Sequence, residues 1–169
     1  MKNNYHLVYG DFYANYIKLA ESDDLLKTLK KNTRKFRAFM EEIPASKIDY
    51  AYAEGKWTIK QLLQHIIDAE RVFSYRALRI GRFDTTPLAG FDENSWAEKA
   101  DTTARGWKEM IKEFMRLRKS NIQMVGSFTK EALAAEGTAS DNPMSTAALC
   151  FILAGHVQHH MNIIKERYL

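Results

Sequence analysis

A stretch that reads as a buried helix yet carries histidine constrains this chain more than any other feature. Residues 153–169 are LAGHVQHHMNIIKERYL, and three of the chain's five histidines fall within five positions of it. The rest of the run is rich in Leu, Ile, Val and Met, the residues of a buried face. Successive helix residues turn by about 100°, so with His156 set at zero, Leu149, Ile152, Leu153, His160 and Ile163 all fall within roughly 60° of it. His156 and His160 therefore project from one face, one turn apart, and that face is apolar. His159 lies at the edge of the sector, about 100° from His160.

Helical periodicity extends over four long segments. The first covers about 22–43, with Ser22 and Asp23 as candidate caps, an apolar stripe of Leu25, Leu29, Phe36 and Phe39, and Pro44 as its stop. The second, about 58–82, opens on Thr58 and Gln61, the capping-box pattern. The third runs from about 102 to 125. The fourth, about 145–167, follows Pro143 with Ser145 or Thr146 as cap. The 2–3 connection, FDTTPLAGFDENSWAEKAD, reads as too polar and too punctuated by Pro and Gly for regular structure. The 3–4 connection, SFTKEALAAEGTASDNP, has room for a short helix, and no strand-like alternation competes. Four amphipathic helices with long 2–3 and 3–4 connections imply an all-α four-helix bundle forming one domain over 1–169. Residues 1–21, with Tyr5, Tyr9, Phe12, Tyr13 and Tyr16, are expected to pack across it as an arm or to serve a dimer contact.

The balance of 25 basic and 21 acidic residues gives a net charge of +4, with the two signs alternating nearly everywhere. KTLKKNTRK (27–35) is the densest basic run and reads as a solvated helix face, so no nucleic-acid partner is expected. The single cysteine, Cys150, excludes an internal disulfide and reads as a small buried apolar residue. No apolar stretch is long enough for a signal peptide or a membrane span, and a cytoplasmic protein without membrane contact is expected.

A second inward histidine-bearing helix sharpens the reading. His65 lies on the stripe of helix two that contains Leu62, Ile66, Ala69 and Val72. Three imidazoles on two helices are either core histidines with hydrogen-bond partners or a metal site of the kind that bundles build from facing helices. His159 reads as partly exposed, and His6 has no partner. Asp68, one turn beyond His65, could orient a ligand or take up a proton, or could simply pair with Arg71 or Arg76 on the surface, as could Glu70. No G-x-S-x-G, Gly-rich phosphate loop or C-x-x-C offers a rival chemistry.

The chain resembles the DinB-like superfamily, also described as YfiT-like metal-dependent hydrolases. EGKWTIKQLLQHIIDAERVFSYRALRI (54–80) resembles the family's second-helix signature, and AGHVQHHMNIIKERYL (154–169) its final one. TPLAGFDENSW (86–96) is similar to its 2–3 connection, and Arg76, Asp92 and Trp96 match positions of the pattern. The resemblance implies an up-down-down-up bundle and homodimers. It also implies one divalent ion per chain held by His65, His156 and His160, and zinc and nickel both suit imidazole ligands. Relatives include enzymes that use a low-molecular-weight thiol such as bacillithiol or mycothiol. The resulting expectation is a metal-dependent transfer of such a thiol onto a small electrophilic substrate. The alternatives are a metal-dependent hydrolase of a small amide or ester, or a non-enzymatic metal-binding or structural dimer.

Overall fold

Where side-chain oxygens can meet the free N–H groups of a first turn, helices begin. The computed structural model, which describes residues 4–169, shows this at most of its helix starts. A short arm helix α1 (Ala14–Ala20) precedes α2 (Leu25–Glu41), capped by the Asp24 side chain on the N–H of Lys27. The cap is thus Asp24 rather than Ser22 or Asp23. A single turn α3 (Ala45–Ile48) follows Pro44, and then α4 (Ile59–Gly81) starts with the complete Thr58–Gln61 capping box. After α5 (Glu93–Lys99) comes α6 (Trp107–Gly126), which begins five residues later than the periodicity suggests. There Asp101 accepts from the backbone and hydroxyl of Thr103 and holds residues 101–103 in a turn. Helix α7 (Lys130–Ala134) and the strands β1 (Glu136–Ala139) and β2 (Asn142–Ser145) lead to α8 (Thr146–Arg167), capped by Ser145.

Side-chain contacts fix the direction of each long helix. Lys60 meets Thr103, Arg71 meets Glu113 and Glu70 meets Asn121, so α4 and α6 run parallel. Asn32 meets Arg118 while Trp107 reaches the carbonyl of Met40, so α2 opposes α6. His65 faces His156 and Tyr168 reaches Trp57, so α8 opposes α4. The order is up-down-down-up, with α2 and α4 each packed on both α6 and α8.

Two connections carry more structure than their composition suggests. Asp92 accepts from the N–H groups of Asn94 and Ser95 and so nucleates α5 inside the 2–3 connection. The 3–4 connection holds the expected short helix and also the β1–β2 hairpin. Its strands are four residues each and contain Gly137 and Pro143, too short and small for alternation to register. The hairpin turns at Ser140 and Asp141, both at positive φ, the geometry that matches strand twist in a two-residue loop. Leu88 pairs with this turn: its N–H donates to Thr138 and its carbonyl accepts from Ser140, so the two long connections are tied together.

Helix α8 is the centre of the molecule and is buried from Thr146 to Val157 on every side. Bundle neighbours cover only part of such a helix, and the arm covers the remainder. A Cβ at Gly155 would lie 1.9 Å from the carbonyl oxygen of Tyr16, so α1 can lie on α8 only because residue 155 has no side chain. The arm thus packs on the bundle as an α-helix rather than standing free.

The apolar core falls into two clusters, and polar side chains lie where they meet. Arg118, fully buried, donates from Nε and Nη2 to the two carboxylate oxygens of Glu70, each at 2.7 Å. Asn121 donates to the same carboxylate at 2.7 Å. Arg118 also donates to Asn32 at 3.1 Å and to the Leu153 carbonyl at 2.7 Å, and Asn32 donates to Ala154 at 3.2 Å. Glu70 is therefore a core carboxylate paired with Arg118, and neither a surface group nor a partner of Arg71 or Arg76.

Removing one half of this pair strands a buried charge. Arg118→Met should cost about 3–5 kcal/mol in urea unfolding. The double variant Arg118→Met/Glu70→Leu should regain at least half of that loss. A double variant as unstable as the single would mean that the other hydrogen bonds, and not charge pairing, dominate.

Candidate metal centre

Helix α4 delivers His65 and α8 delivers His156 and His160 to one point beside the buried ion pair. His156 Nε2 lies 3.1 Å from His65 Nε2 and 3.0 Å from His160 Nε2, and the three donor nitrogens lie within 4.8 Å of one another. His156 and His160 are buried, at 4% and 8% exposure, and His65 is half-buried. One ring nitrogen has a single in-plane site, so His156 Nε2 cannot satisfy both neighbours by hydrogen bonding. Three nitrogens converging on a common point instead match metal geometry. Tetrahedral Zn–N bonds of about 2.0–2.1 Å put ligand nitrogens roughly 3.3 Å apart.

Burial governs the protonation of the group. Desolvation lowers His65 to about 4, with the nearby His159 adding to the effect. Desolvation holds His156 and His160 well below the usual imidazole range, and His65 and His159 oppose a further proton on either. All three are neutral at physiological pH, the form that can bind metal. Among the described residues, no carboxylate bonds to any of the three rings, and His160 Nδ1 is buried without a partner.

The cavity above the rings has a volume of about 380 Å³ and mostly aromatic walls. Trp57 lies 5.0 Å from His65 between ring centres, Phe73 lies 5.4 Å from His156, and Tyr16 closes the other side at 5.4 Å from His156. Phe12, Tyr13, Ala69, Phe91, Glu93, Asn94 and Ser140 complete the lining, so the 2–3 connection contributes to the walls. The hydroxyl of Tyr16 makes no hydrogen bond within the described protein. Burial raises its pKa above 10, helped by Tyr13 and Glu93, so it is a donor and not a base.

The remaining candidates fall outside this group. His159 points to the arm, with Nδ1 3.4 Å from Asn15 Nδ2 and its ring against Tyr16. Asp68 accepts from Gln64 at 3.0 Å, lies 3.7 Å from Arg71 and lines a neighbouring cavity, so it neither touches nor orients a triad histidine. His6 pairs with Glu136 at 2.7 Å on the surface. Cys150 is fully buried and its thiol is pushed far up by desolvation. The sequence points to Tyr13 and Tyr16 for packing on the bundle or a dimer contact, and not to Trp57, Phe91 or Ser140. The signal for the tyrosines is Gly155, a helix-interior glycine immediately before His156.

Comparison with known proteins follows the same lines. The family model of the DinB superfamily matches residues 28–164. A protein of Oceanobacillus iheyensis, OB0413, provisionally named as a metal-dependent hydrolase, is 25% identical over 151 residues, covering 88% of this chain and 86% of its own. YfiT of Bacillus subtilis, under the same provisional description, is 26% identical over 83 residues, 48% of this chain and 46% of its own. The solved YfiT structure, described as an unusual four-helix bundle, aligns with a TM-score of 0.75 over 85% of this chain and 83% of its own, at 18% identity. At that identity the likeness concerns the fold.

The depressed histidines make a stability prediction with a definite sign. The unfolded chain takes up protons near pH 6.5, whereas folded His65 does so near 4 and the other two well below 6.5. Between those values the unfolded state binds more protons. The chelated protein should therefore lose stability as pH falls below about 6.5 and keep losing it towards about 4. Thermal unfolding across this window should show a shallower slope for His65→Gln. An unchanged slope would show that His65 does not contribute.

Proposed function

The chain belongs to the DinB superfamily, and we propose that it is a metal-dependent hydrolase of small apolar or aromatic amides or esters, with His65, His156 and His160 as the ligands of one divalent ion. The convergence of three neutral, inward Nε2 atoms at the floor of an aromatic cavity carries this reading. The provisional description shared by OB0413 and YfiT supports it. Three protein ligands leave a coordination position open, as in catalytic zinc sites, whereas structural sites are closed by four. Zinc and nickel both suit an all-imidazole donor set.

A divalent ion held there would supply a Lewis acid and a nucleophile activated near neutral pH. The chain's own residues do the rest. Neutral imidazoles leave the full double charge of the ion uncompensated. Trp57, Phe73 and Phe91 hold the apolar body of a substrate and exclude bulk water. The Tyr16 hydroxyl, kept protonated by burial, donates a hydrogen bond to the substrate oxygen on which charge develops.

Thiol transfer, the expectation from the resemblance, is the second reading, and the relatives that match give it no support. One observation restricts it: Cys150 is buried and held protonated, so any reacting thiol would come from solution. A homodimer is part of the proposal only through the family resemblance.

Metal content tests the ligand set. Untagged protein reconstituted with zinc or nickel should hold about one ion per chain. His160→Ala should weaken binding more than ~100-fold, beyond what loss of an outer partner costs. His159→Ala should stay within a few-fold of the parent protein. Equal losses for the two would reassign the ligands.

Turnover tests the chemistry. The zinc-loaded protein should hydrolyse aryl esters or anilides without added thiol, chelation should abolish the rate, and free thiol should inhibit by occupying the open position. Tyr16→Phe should lower kcat by about 10²-fold with little change in KM, as for loss of one oxyanion donor. A rate that appears only with cysteine or bacillithiol and an electrophile would favour the second reading.

A further inference from the structure

On the opposite side of α4 from the core lies a second cavity of about 530 Å³, between the helix and the 2–3 connection. Its walls are apolar and aromatic: Val72, Tyr75, Pro87, Leu88 and Trp96. Three arginines, Arg71, Arg76 and Arg79, also line it, and their circumstances differ. Arg71 donates to Glu113 at 2.5 Å and lies 3.7 Å from Asp68. Arg79 pairs with Asp84. Each of these charges is answered by a carboxylate.

Arg76 has no such partner. It is 1% exposed, and among the described residues no carboxylate forms an ion pair with it. Nη2 donates to the carbonyl of Ala89 at 2.8 Å and to the Ser140 hydroxyl at 2.7 Å, and the guanidinium sits 5.8 Å from the Phe91 ring centre. Nη1 is shut off from bulk water and bonded to nothing. A guanidinium keeps its charge at any relevant pH, and a buried charge without a counter-ion is among the costliest arrangements in a protein. The chain compensates its other fully buried arginine, Arg118, with a bidentate carboxylate. The open space beside this guanidinium is the cavity that Arg76 lines.

We propose that this cavity is a binding site for a small monocarboxylate with an apolar or aromatic body, and that Arg76 is its anion receptor. One uncompensated positive charge fits one negative charge; a dianion such as a phosphate monoester would bring a second charge that nothing in the cavity answers. The planar guanidinium matches a carboxylate in shape. Tyr75, Leu88 and Trp96 receive the body. Through Ser140 and Phe91, which also line the histidine cavity, Arg76 stands at the partition between the two sites. The proposal does not depend on metal binding.

Calorimetric titration of the full chain tests it, with metal removed by chelation so that coordination of a carboxylate to an ion cannot supply the signal. The probes are phenylacetate, its neutral isostere phenylacetamide, acetate and phenyl phosphate. Phenylacetate should bind at least about tenfold more tightly than phenylacetamide. Arg76→Gln should abolish that preference, and Arg76→Lys should restore part of it. Trp96→Ala, at a position 44% exposed and therefore tolerant of change, should weaken phenylacetate several-fold and leave acetate unchanged. If Arg76→Gln does not fold, the charged and neutral pair together with Trp96→Ala still decide. Equal affinity for acid and amide, indifference to Trp96→Ala, or tighter binding of phenyl phosphate would each overturn the proposal.

Discussion

The buried pair of Arg118 and Glu70 sets the frame on which the rest of the structure hangs. Two apolar clusters meet at this level of the bundle, and apolar packing alone would let helices slide by a turn at small cost. The guanidinium removes that freedom. It binds Glu70 on α4, Asn32 on α2 and the Leu153 carbonyl on α8, while Asn121 on its own helix completes the carboxylate. All four long helices are thereby fixed in axial register. His156 stands three residues beyond Leu153, and His65 five before Glu70. The convergence of imidazoles within hydrogen-bonding distance is therefore a consequence of the same lock.

The two halves of the polar interior treat charge in opposite ways. Around Arg118 every donor and acceptor is matched, and the net charge of the pair is zero. Among the described residues no carboxylate bonds to the triad histidines, Glu93 lining only the cavity beside them, and the rings themselves are held neutral by desolvation. No carboxylate bonded to those rings would offset the charge of a bound cation. An environment of this kind makes an ion more electrophilic than one backed by acidic outer partners, and it makes an anionic ligand in the remaining position more welcome.

Much of this architecture can be read from the residues alone, for clear physical reasons. The inward face shared by Leu62, His65 and Ile66, and the face shared by Ile152, His156 and His160, follow from helical geometry, which is local and rigid. The Thr58–Gln61 box and the Ser145 cap are equally local. Glu70 was illegible because its partner lies 48 residues away, and nothing in a sequence says which carboxylate a given arginine will meet. Asp68 stands three residues from His65 and so falls on a neighbouring side of α4, towards Gln64 and Arg71; closeness in sequence did not mean a shared face. The hairpin escaped notice because Ala139 and Gly137 carry too little side chain to show a period. Tyr13 and Tyr16 were seen as aromatic but not as walls of the cavity, since that depends on a long-range approach.

That approach, the passage of α1 over Gly155, has a consequence for how the molecule is made. The arm leaves a ribosome well before its docking surface on α8. The N–H of Val8 bonds to Ser145 across 137 residues of sequence, and Tyr16 rests on the turn of α8 that carries His156. Until α8 is made, Tyr16 lacks the helix on which it rests. Domains made from the N-terminus usually settle as they emerge, but here the arm must wait for α8. The histidine cavity gains its last wall only when the arm meets α8, so a nascent or truncated product lacking α8 has no cavity, and its arm is left exposed to whatever else binds tyrosine and phenylalanine.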